Sequence, residues 1–356
     1  MNVLLRKFCL TLFPLILAGT FLPAFGQSNK ETSAIAKIAM YEGADRDRRL
    51  IAAAKKEGSL LLYIAIGAPD LEKLAADFEK KYGIKVNAWR AGADKVLQRA
   101  IAETRGGRFD FDLVHISSLE MEALHREKLL QEVSSPHYKD LIPGSVPPHK
   151  EWAAAMLHVT VQAYNTNKVK RDDLPKRYQD LLDPKWKGRL GIEAKNQEWF
   201  YTVVKDMGEE KGLKFFRELV ATNGLYVRSG RSVLNNLVVA GEVPLALTVY
   251  QFMPEQAKQK GAPIDWFAIE PAIARLYGTG VSKRAPHPNA AVLFYDYMIS
   301  DAQKLLVELN YVPTNKNVES PIKNVPIKLV DPHTPLGEVE KWEKIYEDII
   351  IKQGVK

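Results

Sequence analysis

Apolar runs typical of strands alternate with amphipathic runs typical of helices along the first third of the chain. The strands are predicted at 60–66, 84–89 and 111–116, and the helices at 71–82, 95–104 and 119–127. Within the helices, apolar residues recur three and four positions apart. Gly83 follows the first helix, as expected at a helix end. This alternation predicts an α/β fold in which parallel strands are flanked by helices.

The length of the chain predicts two lobes. It has 356 residues, more than the roughly 250–300 that one hydrophobic core usually serves. A second group of elements begins near residue 161. Its helices are predicted at 198–207, 209–221 and 232–240, and an apolar strand is predicted at 243–250.

The amino terminus has the pattern of a secretory signal peptide. Two cations precede a mostly apolar run over 8–22, and Ala24 and Gly26 supply small residues for a cleavage site. Prolines and a glycine interrupt the run, whereas a transmembrane helix needs about 20 consecutive apolar residues. We therefore predict removal of residues 1–26 and export to the periplasm.

The cysteine count limits the chemistry of the exported chain. Cys9 is the only cysteine, and it lies inside the predicted signal peptide. Disulfides, thiolate-bound zinc and a cysteine nucleophile are therefore not expected. Thr20 stands where a lipoprotein signal would need its lipidated cysteine, so no membrane anchor is expected.

The charge pattern argues against binding to nucleic acid. The formal net charge is +7, but basic residues are interspersed with acidic ones, as in the runs 45–49 and 170–173. A nucleic-acid interface requires basic residues clustered on one face. Mixed runs of this kind are typical of solvated surfaces.

The segment 159–192 combines several uncommon residues at fixed spacing. A strand end is followed by Asn165-Thr166-Asn167, Leu174-Pro175, Asp183-Pro184 and Lys185-Trp186-Lys187-Gly188, and then by an apolar strand at 189–192. This segment resembles the corresponding part of the extracellular solute-binding proteins of bacterial ABC importers, in the branch that includes the ferric-iron binders. The resemblance extends over roughly residues 58–350.

The resemblance implies a two-lobed periplasmic-binding-protein-like fold, with a ligand cleft between lobes that each contain a mainly parallel sheet flanked by helices. On this basis the first lobe holds 27–160 and about 275–315, and the second lobe holds 161–274. Residues 316–356 then form a tail with a packing helix.

The function that the resemblance implies is transport and not catalysis. The lobes would close as a hinge around a small solute, and the closed form would deliver it to an inner-membrane permease complex. A membrane receptor that senses the solute is the alternative partner. No cofactor is expected, and the protein is expected to act as a monomer.

The residues of the cleft are expected where strands end and helices begin, because ligands bind there in open parallel sheets. Unpaired N–H groups at those helix starts favour anions. The candidate ligand-binding residues are Gly67, Ala68, Arg90, Ser117, Ser118, Trp199, Arg228, Ser229, Gly230, Arg231 and Tyr250. Their amides, hydroxyls and guanidinium groups indicate a small organic anion as the solute.

Ferric iron is the main alternative solute, because the resembling branch includes iron binders. Those proteins hold iron with two adjacent tyrosines, often adding a histidine and a glutamate. The matching positions here hold Gln251 and Phe252, with Gly67 for the histidine and Ser117 for the glutamate. The sequence therefore predicts no metal ligands, and His158 is interpreted as a structural histidine near the cleft.

A secreted hydrolase is the other alternative. The chain has no G-x-S-x-G, Walker or zinc-protease motif. A triad assembled from distant residues is the form that such an enzyme would need.

Overall fold

The computed structural model describes residues 33–334 and 336–354. The predicted signal peptide lies outside these ranges. Within them, no helix has the length and apolar character required to cross a membrane.

Helices and strands alternate as the sequence predicts. The helices are α1 (Ala34–Ala39), α2 (Arg46–Glu57), α3 (Ala68–Tyr82), α4 (Ala93–Arg105), α5 (Ser118–Arg126), α6 (Gln197–Met207), α7 (Glu209–Asn223), α8 (Arg231–Ala240), α9 (Phe252–Gln259), α10 (Pro288–Ile299), α11 (Ala302–Glu308) and α12 (Leu336–Tyr346). The strands are β1 (Ser59–Ile64), β2 (Lys85–Arg90), β3 (Leu113–Ser117), β4 (Ala153–Asn165), β5 (Leu190–Glu193), β6 (Tyr226–Arg228), β7 (Leu245–Tyr250), β8 (Ile264–Phe267), β9 (Ala272–Val281), β10 (Val312–Pro313) and β11 (Ile327–Leu329).

Short 3-10 helices occur at Pro136–Asp140, Arg171–Asp173, Tyr178–Leu182 and Pro184–Trp186, and a π-helical segment, Glu347–Ile351, continues α12. Two glycines end the helices that precede β1 and β2. Gly58 ends α2 with φ 75° and Gly83 ends α3 with φ 71°. In this left-handed region glycine has no Cβ penalty, so it reverses the chain from each helix into the following strand.

The sheet of the first lobe is built around β1. Strands β2 and β3 pair with it in parallel on either side, and β9 then pairs antiparallel with β3. In the second lobe, β5 lies between β6 and β7 and pairs in parallel with both. Each lobe thus contains the mainly parallel sheet that the sequence predicts.

Strand β4 connects the two lobes. It pairs antiparallel with β9 from Ala153 to Thr160, and with β7 from Thr160 to Tyr164. All 13 of its residues are buried, so they must be held by neighbours on both sides. The change of partner at Thr160 supports our proposal that the lobes divide near residue 160.

The carboxyl-terminal helix packs on the second lobe. The Trp342 ring lies 6.2 Å from that of Phe200 in α6, and the Tyr346 ring lies 5.3 Å from it. Trp342 and Tyr346 are buried in the same apolar cluster as Phe216 of α7. The chain end thereby covers the side of the second lobe formed by α6 and α7.

A buried ion pair joins α2 to α10 in the first lobe. Arg46 and Asp296 contact each other and are both 4% exposed. Burial raises the pKa of Asp296, while Arg46 acts in the opposite direction. Further polar atoms of both side chains have no hydrogen-bond partner among the described residues. The pair therefore only partly offsets the cost of removing both charges from water.

We expect Arg46→Met to lower the free energy of unfolding by about 3–5 kcal/mol, because it leaves the Asp296 carboxylate buried without a partner. The double variant R46M/D296L removes both charges and should lose clearly less stability. Urea unfolding followed by circular dichroism measures both. Equal losses in the single and double variants would contradict this account of the pair.

Candidate ligand-binding cleft

A cavity of about 800 Å³ lies where the parallel strands of both lobes end. The first lobe contributes the turns that follow β1, β2 and β3. The second lobe contributes the start of α8, the end of β7 and one side of α9. Strands β4 and β9 supply residues between these two walls. The cleft therefore lies at the edge of the sheet that the sequence analysis selected.

Four helices begin at or beside this cleft. Their N-cap residues are Gly67 for α3, Gly92 for α4, Ser117 for α5 and Gly230 for α8. In none of the four does the N-cap side chain accept a hydrogen bond from the helix. Helix starts carry unpaired N–H groups and partial positive charge. They therefore provide places for oxygen atoms of a bound anion or water.

Two arginines of the cleft are already held by buried carboxylates. Arg231 forms an ion pair with Glu193 at 3.2 Å, and its guanidinium lies 4.3 Å from the centre of the Tyr250 ring. Arg275 forms an ion pair with Glu198, and its pKa is lowered by burial. Both guanidinium groups are mostly buried. They offer N–H donors to a ligand, but each positive charge is balanced by its own carboxylate.

The remaining charges of the cleft are nearly balanced. The other cationic side chains in its lining are Lys73, Arg90 and Lys260, and the acidic ones are Asp70 and Glu308. A multiply charged organic anion would require a clear excess of positive charge. The cleft does not have such an excess among its described residues.

Three tyrosines and one histidine form an aromatic cluster in the cleft. The ring of His158 lies 4.6 Å from Tyr250, 4.1 Å from Tyr277 and 5.9 Å from Tyr311. The phenols come from β7, from β9 and from the residue before β10. Their separation along the chain means that only the folded sheet brings them together.

The three phenols differ in their hydrogen bonds. Tyr277 donates to the carbonyl oxygen of Ala65 at 2.5 Å, and Tyr311 donates to Oδ2 of Asp70 at 2.7 Å. Burial raises the pKa of Tyr250, Tyr277 and Tyr311. All three are therefore protonated at neutral pH when no ligand is bound, and a cation that binds a phenolate must displace a proton.

His158 is a buried side chain that lines the cleft and has ring nitrogens available to a ligand. It belongs to the lining of the cleft and is 4% exposed. Neither ring nitrogen has a hydrogen-bond partner among the described residues. Burial, followed by the charge of Arg275, holds the pKa of His158 well below its usual value. The ring is thus a neutral imidazole with an available lone pair.

Five of the residues predicted from the sequence meet in the cleft. They are Gly67, Arg90, Ser117, Arg231 and Tyr250. Ser117 accepts a hydrogen bond from Nη1 of Arg275 at 3.4 Å, which links the start of α5 to β9. The structure brings these five residues together from both lobes, as expected for a shared cleft.

The other predicted residues lie outside the lining. They are Ala68, Ser118, Trp199, Arg228, Ser229 and Gly230. Trp199 packs in the second lobe, with ring centres 6.0 Å from Tyr178 and 5.7 Å from Phe216. Arg228 donates to the carbonyl oxygen of Val227.

Gly230 has a supporting position behind the cleft. Its φ of 96° is one that glycine adopts readily, and its N–H donates to Glu193 at 3.1 Å. It thereby fixes the carboxylate that holds Arg231.

Among the cleft residues absent from the sequence-based candidates are Arg275, Tyr277 and Tyr311, while His158 was interpreted there as structural. No local motif marks these positions, because they lie far apart on different elements. The positions that the resemblance matches to the adjacent tyrosine pair hold Gln251 and Phe252. Phe252 lines the cleft at 4.4 Å from the Tyr311 ring, and Gln251 is buried outside the lining.

Curated relatives of the chain include proteins named for iron. The chain is 28% identical over 272 residues to iron uptake protein A1 of Synechocystis sp., covering 70% of this chain and 75% of that protein. It is 26% identical over 301 residues to the major ferric iron-binding protein of Neisseria meningitidis serogroup B, covering 79% and 89%.

Solved structures share the fold. Iron-bound HitA from Pseudomonas aeruginosa matches with a TM-score of 0.71 and 25% identity, over 82% of this chain and 99% of that one. AfuA from Actinobacillus pleuropneumoniae, with fructose-6-phosphate bound, has a TM-score of 0.71 at 21% identity, over 83% and 99%. Residues 110–331 match the model of one family. The chain therefore belongs to the bacterial extracellular solute-binding proteins.

Proposed function

We propose that this protein binds ferric iron in the cleft and delivers it to the permease complex of an ABC importer. The observation that carries the proposal is the convergence of Tyr250, Tyr277 and Tyr311 around His158. The names of the two curated relatives support the same solute. The iron alternative from the sequence analysis is thus better supported than the organic anion.

The chemistry of the aromatic cluster suits ferric iron. Iron(III) is a hard cation that prefers oxygen ligands, and phenolate is among the strongest that a protein can offer. Three phenolates would neutralise its three positive charges. Asp70, which already accepts from Tyr311, adds a carboxylate beside the phenols. His158 offers an imidazole nitrogen.

The surrounding charges fit a neutral iron site. Arg231 and Arg275 are balanced by Glu193 and Glu198, so they neither repel a cation strongly nor favour a highly charged anion. The uncapped helix starts provide N–H donors for water or a small anion that completes the coordination of the metal.

Hinge closure accounts for how the site would form and open. Arg275 of β9 contacts Ser117 in the first lobe and Glu198 in the second. Lys195 and Asp94 form another ion pair between the lobes, at 3.2 Å. A bound metal shared by residues of both lobes would add to these contacts and favour the closed state.

The setting of this function is the periplasm. The family consists of extracellular solute-binding proteins, and the predicted signal peptide provides the route of export. We propose that the mature protein acts as an unanchored monomer that meets its permease at the inner membrane.

A small organic anion remains the second candidate solute, because four helix starts without side-chain caps open near one cleft. In this case the phenols would act only as hydrogen-bond donors. Tight binding of such an anion with no requirement for iron would favour this second function.

We expect Tyr250→Phe and Tyr277→Phe each to weaken ferric-iron binding at least about tenfold, since each removes one anionic oxygen ligand. Titration with a soluble ferric chelate, followed by the visible phenolate-to-iron absorption, measures both affinity and ligand loss. Tyr226→Phe is the matched control, because Tyr226 lies on β6 outside the cleft lining. Unchanged absorption and affinity in both cleft variants would exclude the proposed ligands.

Iron binding should weaken as the pH falls. Burial raises the pKa of the three phenols, so each phenolate that binds iron releases one proton. Lower pH returns those protons, and the apparent affinity should fall by up to about tenfold per pH unit for each phenol. Competition with a chelator between pH 8 and pH 5.5, corrected for chelator protonation, tests this. An affinity that does not change with pH would show that no phenol is deprotonated.

A further inference from the structure

A second group of possible metal ligands lies at the far end of α5 from the cleft. Ser117 is the N-cap residue of α5 at the cleft, and His125 lies in the last turn of that helix, about 12 Å further along the helix axis. His149 and Glu151 approach His125 from the segment that precedes β4. This group, His125, His149 and Glu151, is called the α5 cluster below.

The three residues of the α5 cluster are close enough to share one cation. One possible ligand atom from each lies within 4.8 Å of the others. The imidazole rings of His125 and His149 are stacked, with centres 3.7 Å apart and planes 10° apart, so one ring must rotate about its χ2 bond before both in-plane lone pairs can reach one cation. Nδ1 of His125 lies 2.9 Å from Oε2 of Glu151. All three side chains are partly exposed, so a cation can reach them from solvent.

The hydrogen bonds of His149 set its tautomer. The backbone N–H of Glu151 donates to Nδ1 of His149 at 3.1 Å, so Nδ1 carries no proton. Nε2 therefore carries the proton and donates to Oε1 of Glu122 at 3.0 Å. A histidine that donates one ring N–H to a carboxylate while its other nitrogen faces a cation is the usual arrangement in metal sites. A metal bound at Nδ1 of His149 would replace the hydrogen bond from the backbone N–H of Glu151.

Glu122 is itself held firmly in this supporting position. It is 3% exposed, and Nε1 of Trp152 donates to its Oε1 at 2.9 Å. Nδ1 of His333 lies 3.5 Å from its other oxygen. The Glu122 carboxylate is thus fixed where it can accept the N–H of His149.

We propose that the α5 cluster binds a divalent transition-metal cation of the zinc class, separately from the cleft. Two imidazoles and one carboxylate form a ligand set that suits zinc, with a fourth position left for water. Imidazole nitrogens disfavour calcium and magnesium, which prefer oxygen ligands. Glu122 acts as a positioning residue that orients His149.

Zinc titration of the tag-free, metal-stripped protein by calorimetry tests this site. We expect one equivalent to bind, with an affinity at least about tenfold weaker in His125→Gln and in His149→Gln. The control His137→Gln, at a partly exposed histidine outside the α5 cluster, and the cleft variant Tyr250→Phe should bind zinc as the parent protein does. Cobalt(II) in place of zinc should give a visible spectrum that is lost in His149→Gln.

The stability of the variants separates ligand loss from misfolding. Without metal, His125→Gln should unfold at nearly the same temperature as the parent, because His125 is partly exposed. Zinc should raise the unfolding temperature of the parent and of Tyr250→Phe, but not that of His125→Gln. Absence of stoichiometric zinc binding would overturn the proposal, as would a zinc affinity in both histidine variants equal to that of the parent protein, or loss of zinc binding only in the cleft variant.

Discussion

The pairing of β4 with β9 is the constraint on which the cleft depends. β4 pairs with β9 along one edge up to Thr160 and with β7 along its opposite edge from Thr160 onward, so a single continuous strand belongs to the sheets of both lobes. His158 lies on this strand just before Thr160, and Arg275 and Tyr277 lie opposite on β9. Any change in the angle between the lobes must bend these two strands. The residues at the centre of the cleft are therefore also the residues nearest to the proposed hinge.

Charge pairing explains why the cleft can suit a metal despite its arginines. An arginine near a helix start suggests an anion site when the sequence alone is considered. In the folded protein, Glu193 and Glu198 balance Arg231 and Arg275. The positive charge of the cleft that has no acidic partner is small. Each of the three phenols can supply a negative charge when a cation displaces its proton. Under the proposed function, oxygen ligands select the solute more than net charge does.

Much of the fold could be predicted because its signals are local. Alternating strand and helix patterns located β1 to β3 and their helices to within a few residues. The start of β4 was predicted at residue 159, whereas the structure begins it at Ala153, and strand β9 was not predicted at all. The three consecutive alanines at the start of β4 carry no strand signal in the sequence, because alanine is not favoured in strands. They belong to β4 because they are buried within the sheet.

The cleft was less predictable because its key contacts join distant parts of the chain. Turns after strands pointed to Gly67, Arg90 and Ser117, and the structure places these three residues in the lining of the cleft. Tyr277 and Tyr311 have no such local signal, since their phenols reach the cleft only through the strand order. The pairing of each arginine with a buried glutamate is also invisible in the sequence, which is why the sequence favoured an organic anion.

Native mass spectrometry of the protein, purified without chelators from the periplasm of iron-replete cells, tests the central claim most directly. The account predicts an added mass of one iron atom, alone or with one small anion, that is absent when Tyr250 and Tyr277 are both replaced by phenylalanine. A retained organic molecule without iron, also present in that double variant, would contradict it.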